Sequence, residues 1–161
     1  MLRVRAPDTI MTSNDWTIRR AFLRGFFDAD GSIYFSKDPR IKYCKFKRTH
    51  HYYPKVSLAS ISRGLICADI RKLLSDFRYG SYKEPPGRKG KHWAYYIVLR
   101  GSNQVNLWMK TVGSSNPVHL TKYRVWKQFG FCPPRTTLDQ RKAILLGRLD
   151  PEAFYQHWKK N

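Results

Sequence analysis

Between Asn14 and Lys37 the hydrophobic period changes once, from helical to strand-like, with a glycine at the change. Ile18, Phe22 and Phe26, joined by Leu23 and Phe27, recur at three- and four-residue spacing and predict a helix. Asn14 can cap its first turn, and Asp15 suits its positive end. Gly31 ends the helix. Ser32 to Lys37 then alternates, with Ile33 and Phe35 on one side and Tyr34 and Ser36 on the other. The junction carries two carboxylates, Asp28 and Asp30, in a chain with 31 Lys and Arg against 11 Asp and Glu. Acids kept at such a place in a cationic protein need a reason.

A net charge of +20 calls for a polyanionic partner, and nucleic acid is the leading one. An anionic membrane surface would require an amphipathic basic helix, which no segment supplies. Neither a transmembrane run nor the apolar region of a signal peptide is present, so the expected location is intracellular, a prokaryotic cytoplasm or an organelle. Cys44, Cys67 and Cys132 are odd in number and far apart, and read as reduced thiols rather than bridges. With 42% hydrophobic and 15% aromatic residues the chain is not a disordered tail; 161 residues suit a single domain burying roughly 70% of its unfolded surface.

Further pattern fills in the order. Residues 1–13 resemble a basic arm, 14–130 a core, and 131–161 C-terminal helices. A second strand is expected at Lys55–Ser60, with Val56 and Leu58 inward and Lys55, Ser57 and Ala59 outward. Ile66, Ile70, Leu73, Leu74 and Phe77 mark a second helix. Two strands flank the turn-rich Pro85-Pro86-Gly87-Arg88-Lys89-Gly90. Ser102 can cap a third helix that Gly113 closes, and Leu120–Phe129 forms another. After Cys132-Pro133-Pro134 come two short helices, one with a Thr137…Gln140 capping box and one with Asp150 as cap before Pro151. The order α-β-β-α-β-β-α plus C-terminal helices is an α+β fold with an antiparallel four-stranded sheet.

Ala21, Gly25 and Ala29 lie at four-residue spacing and form one small-residue stripe on the first main helix. It suits either close packing on the chain's own sheet or a second helix from a symmetry mate; spacing alone leaves both open. In the second case two helix ends deliver carboxylates to one shared place. Asp28 and Asp30 diverge by roughly 200° on a helix, so at most one faces that seam. Asp30, just past Ala29, is the candidate. A carboxylate beside phosphates repels them unless it holds a hard cation, and Mg²⁺ takes carboxylates, waters and substrate phosphate. Such an ion can activate water for phosphodiester hydrolysis.

The nine residues Leu23-Arg24-Gly25-Phe26-Phe27-Asp28-Ala29-Asp30-Gly31 also resemble the signature of LAGLIDADG homing endonucleases. Eight of the nine are the signature residue or, at Phe26 and Phe27, an aromatic in place of an aliphatic; Arg24 departs from the usual Ala. The resemblance covers about residues 14–130. It implies a homodimer whose motif helices, through Ala21, Gly25 and Ala29, form the seam. It implies a divalent metal, Mg²⁺ or another hard cation, held by Asp30 and the carbonyl of Ala29. It further implies a sheet that straddles a long pseudo-palindromic double-stranded DNA target, cut to leave 3′ overhangs. The basic and polar residues that the family places near the metal-bound water fall at Lys122 and Ser62.

Arg40 to Lys55 contains six Lys or Arg interleaved with four aromatics and no acid. Phosphate contacts from Arg40, Lys42, Lys45, Lys47 and Arg48, with Tyr34, Ser36, Lys55 and Ser57 reading base edges, fit this pattern. Arg88, Lys89 and Lys91 at the hairpin tip reach the backbone at a flank. Binding of this kind weakens steeply with salt. The competing readings are an RNA-binding maturase that acts on intron RNA, and a non-catalytic DNA-binding regulator on the same scaffold. Asp30 argues against the regulator.

Overall fold

The computed structural model describes residues 4–37, 46, 49–86 and 92–156. Its elements run α1 (Asp8–Thr12), α2 (Trp16–Asp30), β1 (Gly31–Ser36), β2 (Tyr53–Ser60), a π-helical segment (Leu65–Ile70) continued by α3 (Arg71–Leu73), β3 (Tyr79–Glu84), β4 (Ala94–Arg100), α4 (Ser102–Thr111), α5 (Pro117–Phe129), α6 (Leu138–Leu145) and α7 (Ala153–Gln156). The sheet has four strands in the order β1-β2-β4-β3, with β3 and β4 an antiparallel pair. The fold is α+β, as the periodicities predict.

The chain forms two compact units, one of residues 1–32 with 56–114 and one of 33–55 with 115–161. In the first, Leu23, Phe27, Val56, Leu58, Ile66, Ile70, Ile97, Leu99, Val105 and Trp108 are all fully buried. Trp108 is the centre of an aromatic group: Phe27 meets it edge-on at 5.3 Å and Phe77 at 5.5 Å. Each such side chain contributes roughly 1.5–3 kcal/mol by leaving water. In the second unit Val125, Trp126, Cys132 and Ile144 form one cluster, and Tyr52, Phe131 and Tyr155 another. The Trp126 indole N–H donates to the Tyr52 carbonyl at 2.9 Å, satisfying a buried donor.

Several boundaries differ from the sequence reading. Asp15, not Asn14, caps α2, its carboxylate accepting the Thr17 N–H at 2.8 Å. Gly101, not Ser102, precedes α4, with φ 88°, and Ser102 is its first residue. The α5 helix begins earlier than Leu120, because Asn116 accepts the Val118 N–H and Pro117 occupies the first turn. The capping box at Thr137 and Gln140 is formed in both directions.

Two differences go deeper. The expected arm contains α1, and Arg5 is fixed by a bidentate pair with Asp69, Nε to Oδ2 at 2.7 Å and Nη2 to Oδ1 at 2.6 Å. The Ala6 N–H adds a third bond to the same carboxylate at 2.8 Å, and the Asp69 side chain is 1% exposed. These bonds hold the Asp69 carboxyl below its ordinary range, the Arg5 hydrogen bond first. The expected helix at 66–77 begins as the π-helical segment, passes into α3 and ends in a turn; the wider π turn carries Asp69 among buried Leu65, Ile66 and Ile70.

Candidate metal and nucleic-acid site

The α2 helix has two contrasting faces. Leu23 and Phe27 are fully buried, whereas Ala21, Gly25 and Ala29 are all exposed. A Cβ built on Gly25 meets no atom within 4 Å. The small-residue stripe is therefore not packed on the chain's own sheet, one of the two arrangements its spacing allows. Ile18 is 43% exposed, and the Phe22 and Phe26 rings stack at 6.5 Å on the same helix.

At the C-terminal end the two acids separate. Asp28 accepts a hydrogen bond from the Ser114 hydroxyl. Asp30 is exposed, and its carboxylate has no hydrogen-bond or ion-pair partner among the described residues. It is the last residue of α2, and β1 starts at Gly31 with no intervening loop. Gly31 is required there by space rather than by its φ of −92°, since a Cβ would lie 2.3 Å from the Phe27 ring and 2.6 Å from the Phe27 carbonyl oxygen.

The donor set fits a hard cation. Asp30 supplies a carboxylate, and the Ala29 carbonyl is among the last four of the helix, which have no intrahelical N–H. The negative end of the helix dipole adds to the attraction. One carboxylate and one carbonyl leave most of the six Mg²⁺ positions to waters, phosphate or a second copy. Among the described residues no three His, Cys, Asp or Glu side chains cluster as a ready metal cage.

Ser62, in the same unit, is 9% exposed. Its hydroxyl donates to the Val4 carbonyl at 2.7 Å and accepts the Leu65 N–H at 3.4 Å, so its proton is already engaged. Lys122, in the second unit, is half-buried and donates to the Ile33 carbonyl at 3.2 Å. Burial, and then the nearby Arg141 guanidinium, push the Lys122 ammonium below the usual lysine range. Arg141, 2% exposed, donates to the Thr121 hydroxyl at 3.0 Å and to the Thr136 carbonyl. The Cys132 thiol, pushed by burial up to about 11, stays neutral and supplies no counter-charge. Two cations thus share this region with no ion pair to an acid among the described residues; Arg141 was not singled out in the sequence, because its pairing with Thr121 spans 20 positions.

Of the readout candidates, Tyr34 and Lys55 meet: the Lys55 ammonium lies 5.6 Å from the Tyr34 ring centre and 5.8 Å from that of Tyr53. Ser36 is half-buried on β1. Ser57, expected outward, is only 6% exposed, closed over although it alternates with inward Val56 and Leu58. Arg40, Lys42, Lys45, Lys47, Arg48, Arg88, Lys89 and Lys91 lie outside the described residues.

The chain matches the family model of the LAGLIDADG-like domain over residues 17–110. It belongs to that family, one of homing-endonuclease- and maturase-type proteins. No curated protein and no solved structure matches it. No helix among the described residues is long and apolar enough to cross a membrane.

Proposed function

We propose that the protein is a site-specific DNA endonuclease that works as a homodimer and hydrolyses phosphodiester bonds with Mg²⁺ or a similar hard cation. The observation that carries this reading is the pairing, on one helix, of an exposed small-residue face with an unengaged carboxylate at its end. A second copy packed along Ala21, Gly25 and Ala29 would bring two Asp30 carboxylates to one place, each with its Ala29 carbonyl. Bound there, the metal would supply Lewis acidity and an activated water. Asp30 holds the ion, and Asp28 fixes the helix end through Ser114. Tyr34, Ser36, Lys55 and the basic residues between 40 and 48 bind and orient DNA. Lys122 and Ser62 retain the basic and polar roles as family assignments.

The test is cleavage of a plasmid bearing a candidate insertion site, by wild type and by Asp30→Asn, with Mg²⁺ and with chelator. Cutting by wild type with Mg²⁺ alone, reduced on the order of 100-fold or more in Asp30→Asn, is expected. Undiminished cutting by Asp30→Asn would sink the metal role. A strict monomer in sedimentation, free and on DNA, is incompatible with the shared site.

A further inference from the structure

Five described residues have a positive φ: Gly101, Gly113, Gly130, Gly147 and Arg135. Four are glycines, which adopt such angles without steric penalty. Arg135, at φ 58°, is not, and in this left-handed region its Cβ crowds the backbone carbonyl. The turn around it dictates the angle. Pro133-Pro134-Arg135-Thr136 has proline second and a positive φ third, the pattern of a type II turn, whose third place normally holds glycine.

Side-chain bonds hold this turn in place. The Thr136 hydroxyl donates to the Pro133 carbonyl at 3.2 Å. Buried Arg141 donates through Nη1 to the Thr136 carbonyl and, at 3.3 Å, to the Thr136 hydroxyl. The Cys132 N–H ties the incoming chain to the His51 carbonyl at 3.0 Å. What the turn holds out is open to solvent. Arg135 is exposed, and its guanidinium has no hydrogen-bond or ion-pair partner among the described residues. Backbone strain persists only where the surrounding structure over-determines it, and it gathers at sites of function. No contact of the Arg135 side chain among the described residues offsets it.

Position and chemistry narrow the ligand. His51, bonded to Cys132, stands two residues before β2, the strand whose Lys55 lies against the Tyr34 and Tyr53 rings. Arg135 is three residues beyond Cys132, a reach of at most about 11 Å from that bond. The chain carries a net charge of +20, which calls for a polyanion. A guanidinium presents parallel N–H donors that match two oxygens of one phosphate, and a fixed backbone reduces the ordering entropy of engaging it. We propose that Arg135 is a preset contact to one backbone phosphate of duplex DNA, for which the chain keeps a strained turn. The proposal rests on the DNA-binding part of the proposed function and requires neither Asp30 nor a metal.

The experiment uses the full chain with chelator present. Thermal denaturation is followed by circular dichroism. Anisotropy is measured on labelled duplexes of two unrelated sequences and on an RNA hairpin, between about 50 and 200 mM salt. Arg135→Gly removes strain and charge together, so it should raise the melting temperature by roughly 2 °C. The same variant should bind both duplexes about tenfold more weakly near 0.1 M salt, with a log–log salt slope smaller by about 0.9. Arg135→Asn, neutral and tolerant of the left-handed region, should behave alike. Arg135→Lys keeps charge and strain, and should match the wild type in slope and melting temperature. Unchanged affinity and slope in Arg135→Gly overturn the contact, and melting temperatures that do not rise in Arg135→Gly and Arg135→Asn overturn the strain. A loss confined to the RNA hairpin overturns the choice of DNA. A wild type that binds no duplex overturns the proposed function as well, whereas a binding wild type with an indifferent Arg135→Gly removes this contact alone.

Discussion

Leu23 and Phe27 on one face of α2 are closed off by this chain, while Ala21, Gly25 and Ala29 on another remain open to solvent. The two faces obey different rules. The inner one uses large side chains, because burial energy grows with the apolar area removed from water. The outer one uses the smallest, which gain little from water but let a second backbone come near. A face meant only to be wet would carry charged or polar residues, as at exposed Arg24 on the same helix.

The contrast can be broken from either side. Phe27→Ala empties the contact with Trp108 and should lower stability by about 3–5 kcal/mol, read in a denaturant titration. A cost below about 1 kcal/mol would mean that the inner face is not a core. Gly25→Leu should leave circular dichroism unchanged and weaken self-association by roughly tenfold or more, equivalent to about 1.4 kcal/mol, in sedimentation. Unfolding in the dilute monomer would instead show that the outer face is packed within the chain. Gly25→Ala, where a methyl meets nothing within 4 Å, should stabilise the monomer by about 0.5–1 kcal/mol through helix propensity.

The smallest effect serves as a control away from α2. Burial, then Lys37 and His50, lower the His51 pKa from its ordinary value. The unfolded chain therefore binds this proton more readily, so stability is full above about pH 6.5 and falls as pH drops toward the folded value. The same acid loss is expected in Gly25→Leu, and it should shrink in His51→Gln. Its absence from wild-type thermal scans between pH 7 and 5 would remove His51 from this role.

Local signals were legible to the degree that they were short-range. The capping box at Thr137 and Gln140 joins neighbours in the chain, and the period change at Gly31 appears where α2 meets β1. The start of α5 was missed by three residues although Asn116 and Pro117 carry the cap-and-proline chemistry read at Asp150 and Pro151, where Asp150 does accept the Glu152 N–H but 151–152 form a turn and α7 starts only at Ala153. The Asp69 cluster was invisible for a different reason. Its partner Arg5 is 64 residues away, and an acid inside an apolar helical pattern carries no local sign of what will neutralise it. The π-helical turn was equally hidden, since a six-residue segment is too short for hydrophobic spacing to separate it from an α-helix. At the candidate site, helix angle allowed only one of the two acids to face the seam, and the place of Asp30 at the helix end just past Ala29 made it the candidate; the bond from Ser114 to Asp28 arises from residues 86 apart. The hydroxyl commitment of Ser62 to Val4 likewise rests on chain segments that spacing cannot relate.

Gly31 has a consequence for how this chain can vary. The residue binds nothing and catalyses nothing, yet the space a side chain would need is already filled by the Phe27 ring and carbonyl. Even a methyl group would have to push the helix end aside and swing the neighbouring Asp30 with it. Drift at position 31 would thus re-aim the carboxylate one residue earlier, the one that the proposed function assigns to the metal, while leaving every polar group intact.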